Sequence, residues 1–549
     1  MKTTNQPAKS APKLILLPTH LGRNGELEDE RSDPVQQRQA CQDAFVELLD
    51  HVGELGVADK PMSFTDVERD LHRRLRRIGA LLVVLFLTLV DRTLSERLGP
   101  SFERHGRTCH RGSARARNFQ CVFGVVRYWR TYYRAATTSI KLRRGHYPSD
   151  EILGLGRERV SMGVLSVAVY LATKMSFAST RDTMARMFGM ASGQVPSTEV
   201  IGRAVLGLGA QSQDFFEQLG GFDDDGDVLI IQLDGKGIPT ASERELKRRR
   251  GKRKPNNNPG SARHRGRRRR KKWLKSPLHP EPGTSGFEKN AKMGTLLVAY
   301  TLRTAGEGVL EGPFNKRVWV SMSPKKHMVD MAVLEAKRRG FDPTSPEVRI
   351  QVITDGDPDL ERHLLKAFPH AIRSIDIMHV LEYIWAAGRA FHPKARTDKK
   401  EYSALRKWVS RQKKRLLKGR VDLIIDELEH ESSRARGAKK TTLTKTLNYI
   451  SKRVDWLDYA SLLKEDLELG TGAVEGAVKY VMCKRFDQGG MRWIVERAEA
   501  LLTLRCIAVN GDWDEFIAFV ERRRKAANER NEPIPLLLNN PVPLPHKAA

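Results

Sequence analysis

The sequence predicts a multidomain protein of the α/β plus α class. A mixed-sheet domain is interrupted by an all-helical insertion and is preceded by a helical and hairpin region. Three observations carry this expectation. After residue 227 the apolar residues gather into short runs at 228–233, 295–303, 317–322, 348–354 and 371–377, with helical periodicity between the later ones. Across 393–470 that alternation stops, and the chain becomes strongly charged with helix-spaced anchors such as Trp408, Leu416, Leu428 and Trp456. Before 223 the pattern is helical except at 117–135, where Phe119, Val125, Tyr128, Trp129 and Tyr133 surround Gly124 and read as a hairpin.

In chain order, residues 1–40 are polar and expected to be disordered. A helical and hairpin region, expected to bind DNA, follows over 41–222. Within it, 62–98 is helical, and a basic face of Arg73, Arg74, Arg76 and Arg77 leads into an apolar run at 78–90. That run is shorter than the ~20 residues of a membrane span, so it reads as a buried helix. Arg127, Arg130 and Arg134 in the hairpin suit either a DNA backbone or a solvated strand face. Two helices at 179–188 and 197–205, the second capped by Ser197 or Thr198, flank a turn at 189–196. They fit either a helix-turn-helix over 179–205 or plain helical packing, since the turn exceeds the usual three or four residues. The mixed-sheet domain is expected over 223–392, with helices at 326–339, 358–367 and 378–391. The helical insertion spans 393–470, and the domain resumes over 471–522 with a long helix at 491–509. A Pro-rich tail, 523–549, closes the chain.

Charge narrows the partner. Over 549 residues, 96 Lys and Arg face 66 Asp and Glu, a formal charge of +30 and a pI near 10.0. Such an excess points to a polyanion, and double-stranded DNA is the expected partner because phosphates are met by Lys and Arg. More than half the excess lies in 244–275, where 17 residues are basic and only Glu245 is acidic. Arg248, Arg249, Arg250, Lys252, Arg267, Arg268, Arg269, Arg270, Lys271 and Lys272 are its candidate DNA-contacting residues. The segment fits either a solvated loop or a flexible arm on DNA beside the site that Asp234 would belong to. Five scattered cysteines without a Cys-x-x-Cys pair argue against a disulfide scaffold or zinc ribbon. With no apolar leader at the first residues and no membrane partner expected, the expected location is cytoplasmic.

Three acids carry the candidate chemistry. Asp234 follows the run 228–233 and precedes Gly235, and Asp355 follows 348–354 and precedes Gly356. Glu475, in Gly472-Ala473-Val474-Glu475-Gly476, reads as the start of a helix. They are 121 and 120 residues apart. A rigid strand followed by Gly leaves a carboxylate at an open edge, and two or three such acids can hold paired divalent cations for phosphodiester chemistry. Each acid has a bland reading as well. Asp-Gly is commonly a turn, and Glu475 with Lys479 makes a helix-surface ion pair. Asp357 and Asp359 suit a helix first turn, with Asp357 the alternative ligand to Asp355. Asp376 is placed to cap the next helix, with His379 in its first turn.

Residues 471–515, with Thr471-Gly472-Ala473-Val474-Glu475-Gly476-Ala477, Gly489-Gly490-Met491-Arg492-Trp493 and Asn510-Gly511-Asp512-Trp513, resemble the C-terminal signature of the Kra-type insertion-sequence transposases. Thr354-Asp355-Gly356 and the block from Asp376 to Trp385 are similar to two further motifs of that family, prokaryotic relatives of the Mutator-like transposases. The likeness covers about 115–520. It implies an RNase H-like catalytic fold, with Asp234, Asp355 and Glu475 as the DDE metal ligands. Asp376 and His379 would be an auxiliary catalytic pair, and 393–470 the all-helical insertion. The family often carries paired cysteines before the hairpin where this chain has only Cys109-His110, and its basic segment is shorter than the one here.

The function expected from residues and resemblance together is a DNA transposase of an insertion sequence. It would cleave element ends and join 3′ hydroxyls to target DNA with two Mg²⁺ (or Mn²⁺) ions. Terminal repeats and target DNA would be its partners, with a homo-oligomer assembled on paired ends and a nucleoid-associated, prokaryotic setting. Two other readings stay open: an RNase H-like nuclease without strand transfer, and a non-catalytic DNA-binding protein derived from a transposase.

Overall fold

The computed structural model describes residues 33–57, 62–104, 107–135, 145–155, 159–190, 194–242, 291–488 and 491–530, without side chains at 307 and 527–530. The chain divides into two compact units, Met1–Leu208 with Trp513–Ala549 and Gly209–Asp512.

The first unit opens with two long antiparallel helices, α1 (Pro34–Gly56) and α2 (Phe64–Leu98). Asp33 caps α1 by accepting from the Val35 N–H, and Pro34 fits the first turn, where no donor is needed. Residues 34–40, expected to be disordered, are therefore helical. The helix expected over 62–98 is present as α2, 35 residues long, and the apolar run at 78–90 lies within it. By length and composition α2 alone among the described helices could cross a membrane, and 44% of its most apolar window is buried in the structure. Ile78 and Leu81 pack on Cys41, Ala44 and Leu48 of α1.

The other side of α2 covers a four-stranded antiparallel sheet in the order β1 (Ser101–Arg104), β2 (Arg107–Cys121), β3 (Gly124–Ala135), β4 (Gly145–His146). Ala80, Val84 and Leu87 meet Phe119, Val126 and Tyr128 across that interface. The expected hairpin is present, turning at Val122-Phe123 into Gly124, whose φ of +127° suits glycine. Then follow α3 (Pro148–Ile152), α4 (Met162–Lys174), α5 (Phe177–Met187) and α6 (Thr198–Gly209). Ser197, not Thr198, caps α6, accepting from the Val200 N–H. Cys109 is buried among Leu98, Phe102, Tyr133 and Ala135, a core residue.

The basic residues singled out from sequence serve mainly inside this unit. Arg74 pairs with Asp70 and Glu47, and Arg77 with Glu47. Arg76 donates to the Phe188 and Gly189 carbonyls that end α5. Arg130 lies 3.6 Å over the Tyr147 ring and pairs with Asp150, while Arg127 and Arg134 face solvent. Buried Asp150 also accepts from Arg117 at 2.7 Å and from the Tyr128 hydroxyl at 2.6 Å.

The second unit holds α7 (Ser212–Gln218) and a five-stranded mixed sheet. Its strands are β5 (Val228–Pro239), β6 (Ala291–Thr304), β7 (Leu310–Ser321), β8 (Arg349–Thr354) and β9 (Ile372–Ile375), in spatial order β7-β6-β5-β8-β9. The first three pair antiparallel, and β8 and β9 add on parallel. Parallel neighbours need crossovers, which α8 (Lys325–Arg338) and α9 (Pro358–Ala367) supply. Helix α10 (Ile377–Phe391) leads into four helices of the expected insertion: α11 (Lys399–Leu417), α12 (Asp422–Arg434), α13 (Gly437–Ser451) and α14 (Tyr459–Lys464). The chain returns in α15 (Gly472–Ala477), which runs on as a π-helical stretch, Val478–Cys483, and ends in α16 (Val495–Asn510). α16 starts later than expected because Trp493 bridges back to the β5 end, its N–H donating to the Pro239 carbonyl.

The last helix, α17 (Trp513–Arg530), belongs to the first unit, where the Trp513 indole donates to Ser166 at 3.0 Å. The sequence pattern had joined 513–522 to the mixed-sheet segment and placed a tail from 523, but the helix continues to Arg530. The rest of that tail, residues 1–32 and the whole segment 244–275 lie outside the described residues.

The buried Asp150 cluster generates a stability prediction. Asp150→Ala leaves two arginines without their carboxylate and is expected to cost about 3–5 kcal/mol in chemical denaturation. An unchanged denaturation midpoint would remove the cluster from the unit's stabilising contacts.

Candidate active site

The sheet register brings the sequence-distant acids to one level. In the parallel ladder Leu233 is opposite Thr354, and Thr354 is opposite Ile375. Asp234, Asp355 and Asp376 are the next residue on three neighbouring strands, and the Asp376 N–H donates to the Thr354 carbonyl at 2.8 Å. Neighbouring strands are about 4.8 Å apart, so the three acids form a row across the sheet.

One expectation about Asp234 is corrected. β5 does not end there: Asp234 pairs with Leu296, and the strand continues beside β6 to Pro239 opposite Ala291. What ends is the parallel neighbour β8, so Asp234 is open on that side only. Gly235 makes no turn, and its N–H donates to the Asp234 carboxylate at 2.6 Å. Asp355 follows the expected pattern, since Gly356 has φ +87° and turns the chain away. A side chain at 356 would lie 2.5 Å from the Tyr449 hydroxyl, which donates to the Asp355 carbonyl at 2.9 Å.

Alternation along strands sets which residues share the face. Gln232 and Asp234 lie on one face of β5, Gln351 and Asp355 on the same face of β8, and Ser374 and Asp376 complete it on β9. The two glutamines are fully buried, Gln232 as the single polar residue of 228–233 and Gln351 between Ile350 and Val352. Gln232 accepts from the Val474 N–H at 3.0 Å and donates to the Gly470 carbonyl at 3.3 Å and the Tyr300 hydroxyl at 3.0 Å. Gln351 donates to the Glu468 carbonyl at 2.7 Å and accepts its N–H at 3.1 Å. The segment 468–474 is thereby stitched along the row of acids, and Glu475 follows on the next residue. The sequence reading missed Gln232 and Gln351, although an amide isolated in an apolar strand was the available signal.

The electrostatics agree with this convergence. Burial raises the Asp234 carboxyl above the ordinary range, against the Gly235 N–H that lowers it. Asp355 and Glu475 push it further up and His379 pulls it down, so all three side chains act on Asp234 through space. Asp234, Asp355 and Glu475 are each partly exposed. Among the described residues, however, no three His, Cys, Asp or Glu side chains converge tightly enough to cage a metal ion as they stand.

Asp376 is buried and does cap α10, accepting from the Met378 N–H at 2.9 Å. It also accepts from the Thr471 hydroxyl at 2.7 Å and binds His379 Nδ1 at 2.8 Å. Burial alone would raise its carboxyl, but these hydrogen bonds outweigh it and hold the group below the usual range. The same bond to Asp376 lifts the His379 imidazole to about 9, against burial and with help from Asp355 and Glu382. Capping and ring orientation are thus combined in one residue. Asp357 is occupied otherwise: it caps α9 through the Asp359 and Leu360 N–H groups and pairs with Lys325. Lys479 lies 4.0 Å from Glu475, the expected helix-surface pair, with the lysine largely exposed.

The family profile described as "Uncharacterised protein family (UPF0236)" matches residues 57–252. That stretch covers α2 through β5, including Asp234, and reaches into the basic segment, but stops short of Asp355 and Glu475. No curated protein matches the chain.

Two outcomes follow from this geometry. Gln232→Leu keeps the volume but leaves the Val474 N–H and Gly470 carbonyl unpaired, an expected loss of about 1–3 kcal/mol in urea denaturation. A wild-type midpoint would dissociate Gln232 from the anchoring of 468–474. The His379 bond has a pH signature. The folded imidazole, at about 9, lies above its unfolded value, so its stabilisation is full below the unfolded pKa and fades as pH rises through about 9. In metal-free protein, the stability gap between wild type and His379→Ala should therefore narrow on going from pH 6 to pH ~9.5. A gap independent of pH would exclude the charged pair.

Proposed function

We propose that this protein is a metal-dependent DNA strand-transferase of the DDE transposase type. The observation that carries the reading is the grouping of Asp234, Asp355 and Glu475, acids 121 and 120 residues apart in sequence, around one edge of a mixed sheet where the latter two bear on the charge of Asp234. A strand order β7-β6-β5-β8-β9 with β6 antiparallel and β8 and β9 parallel supports an RNase H-like catalytic domain. So does a helical insertion between the second acid and the glutamate.

The residues present fit a divalent cation chemically. They are hard oxygen donors, partly exposed, and burial together with repulsion from Asp355 and Glu475 raises the Asp234 carboxyl, a penalty that a bound cation removes. Asp234, Asp355 and Glu475 would hold Mg²⁺ or Mn²⁺, which supplies charge neutralisation at phosphorus and a more acidic bound water. The protein's own groups do the remaining work. Asp376 fixes the His379 ring through Nδ1 and keeps it cationic, so that Nε2 can donate to a phosphate oxygen or a leaving group. The basic segment 244–275 follows a few residues after the strand of Asp234 in sequence and supplies phosphate contacts through its lysines and arginines.

The amide series tests this reading. Asp234→Asn, Asp355→Asn and Glu475→Gln are each expected to lower Mg²⁺-dependent nicking and joining of element-end DNA roughly a thousand-fold or more. Retention of the fold is checked by circular dichroism and of DNA affinity by gel shift. Near-normal activity in any one variant would remove that residue from the site. Cleavage by the wild type without joining of pre-cut ends to a plasmid would favour a nuclease, and binding with neither activity a DNA-binding protein.

A further inference from the structure

We propose that Lys236 is a substrate-contacting residue, which holds the phosphate next to the one that is cut, in a gap along the open edge of β5. The inference rests on the phosphodiester chemistry proposed above and adds a contact outside the group of acids. β8 ends at Thr354, opposite Leu233, and β5 runs on past it beside β6. Trp493 takes up the vacated side of β5 further along, at Thr240. Its N–H donates to the Pro239 carbonyl, and its carbonyl accepts from the Ala241 N–H. Between these two neighbours, from Asp234 to Pro239, no described backbone group pairs with that side of the strand. Five residues at ~3.4 Å each make the gap about 17 Å long.

The edge left open is Asp234-Gly235-Lys236-Gly237. Side chains alternate along a strand, so Lys236 shares the face of Asp234 and lies ~7 Å further on. Backbone groups alternate as well. Since Pro239 and Ala241 bond toward Trp493, Gly235 and Gly237 turn their N–H and C=O groups to the same side. The Gly235 N–H is taken by the Asp234 carboxylate at 2.6 Å. The Gly237 N–H stands at the open edge beside Lys236. A lysine ammonium next to a backbone N–H is a donor pair suited to phosphate oxygens.

Charge identifies the occupant. DNA brings a negative charge at every nucleotide to a site built of three acids. A bound cation would neutralise the phosphate that is cut, but the phosphate beside it needs a counter-charge from the chain. Lys236 stands one step along the acids' own strand and makes no ion pair with Asp234, Asp355 or Glu475. Its described partner is Asp487 at 3.6 Å, with the two side chains 41% and 38% exposed. A pair so exposed contributes little and exchanges readily for a phosphate. Lys479, the other base close by, lies against Glu475 itself.

A binding assay tests the contact without turnover. Full-length protein is titrated onto element-end duplex DNA in Ca²⁺, with a neutral methylphosphonate placed at one phosphate at a time. On unmodified DNA, Lys236→Ala is expected to weaken affinity about tenfold, and Lys236→Arg to recover most of the loss. Lys366→Ala, which removes the same charge from an exposed site in the last turn of α9, should bind as wild type does. At the phosphate adjoining the cut one, methylphosphonate should weaken wild type about tenfold and Lys236→Ala no further, whereas elsewhere the two losses multiply. Losses that multiply at every position overturn the proposal, as does wild-type affinity in Lys236→Ala. A lowered Tm in Lys236→Ala without coupling at any phosphate would make the lysine a fastening for Asp487 instead. Coupling at one phosphate in a protein that cuts no DNA keeps the Lys236 contact and overturns the strand-transfer reading, and a wild type that binds no DNA overturns both.

Discussion

The second unit depends on a small set of buried amide hydrogen bonds. Gln232 and Gln351, both fully enclosed in the sheet, hold the returning segment 468–474 by its backbone. A buried glutamine is costly unless its carbonyl and amide are both engaged, and here each is. Apolar residues at these positions would hold the segment against the sheet without fixing its register along the strands. The amides set that register, so Glu475 arrives at the level of Asp234 from a chain that has left the domain for nearly eighty residues. Directional bonds are needed because the segment is neither a strand of the sheet nor a long helix with its own packing stripe.

The helical insertion is part of the same construction. Tyr449 of α13 stacks on Tyr383 of α10 at 3.8 Å and donates to the Asp355 carbonyl. Arg453, also buried, donates to the Gly356 carbonyl at 2.7 Å. The turn that carries Asp355 is thus held from above by the insertion and from below by β8. A carboxylate with like-charged neighbours needs such support, since repulsion among the three acids would otherwise open the turn. His379 offsets part of that repulsion as a cation oriented by Asp376.

The first unit follows another rule. Much of its arginine excess is consumed internally, by Asp70, Glu47 and Asp150 and by the carbonyls that end α5. Part of the apolar excess is not consumed, and Phe45 and Leu49 of α1 and Leu82 and Phe86 of α2 stay about half exposed. Charge counted along the sequence therefore overstates what this unit presents to a polyanion, while hydropathy counted the same way understates what it leaves uncovered.

Periodicity alone determined a good deal. The five strands, the helices between them, the hairpin with its Gly124 turn and the helical insertion were legible because burial of a face imposes a period on local sequence. Asp355 before Gly356 was legible for a local reason too, since a positive φ selects glycine. What the sequence left open is what depends on neighbours far away in the chain. That Asp234 sits within a continuing strand is decided by where β8 stops, and that Trp513 leaves the second unit is decided by the ring of Tyr170 and the hydroxyl of Ser166. Asp376 could be a cap or a partner of His379 on sequence grounds, and the fold makes it both. Periodicity records only that a residue is buried; which group it meets there depends on strand order and register, and those exist only once the chain has folded.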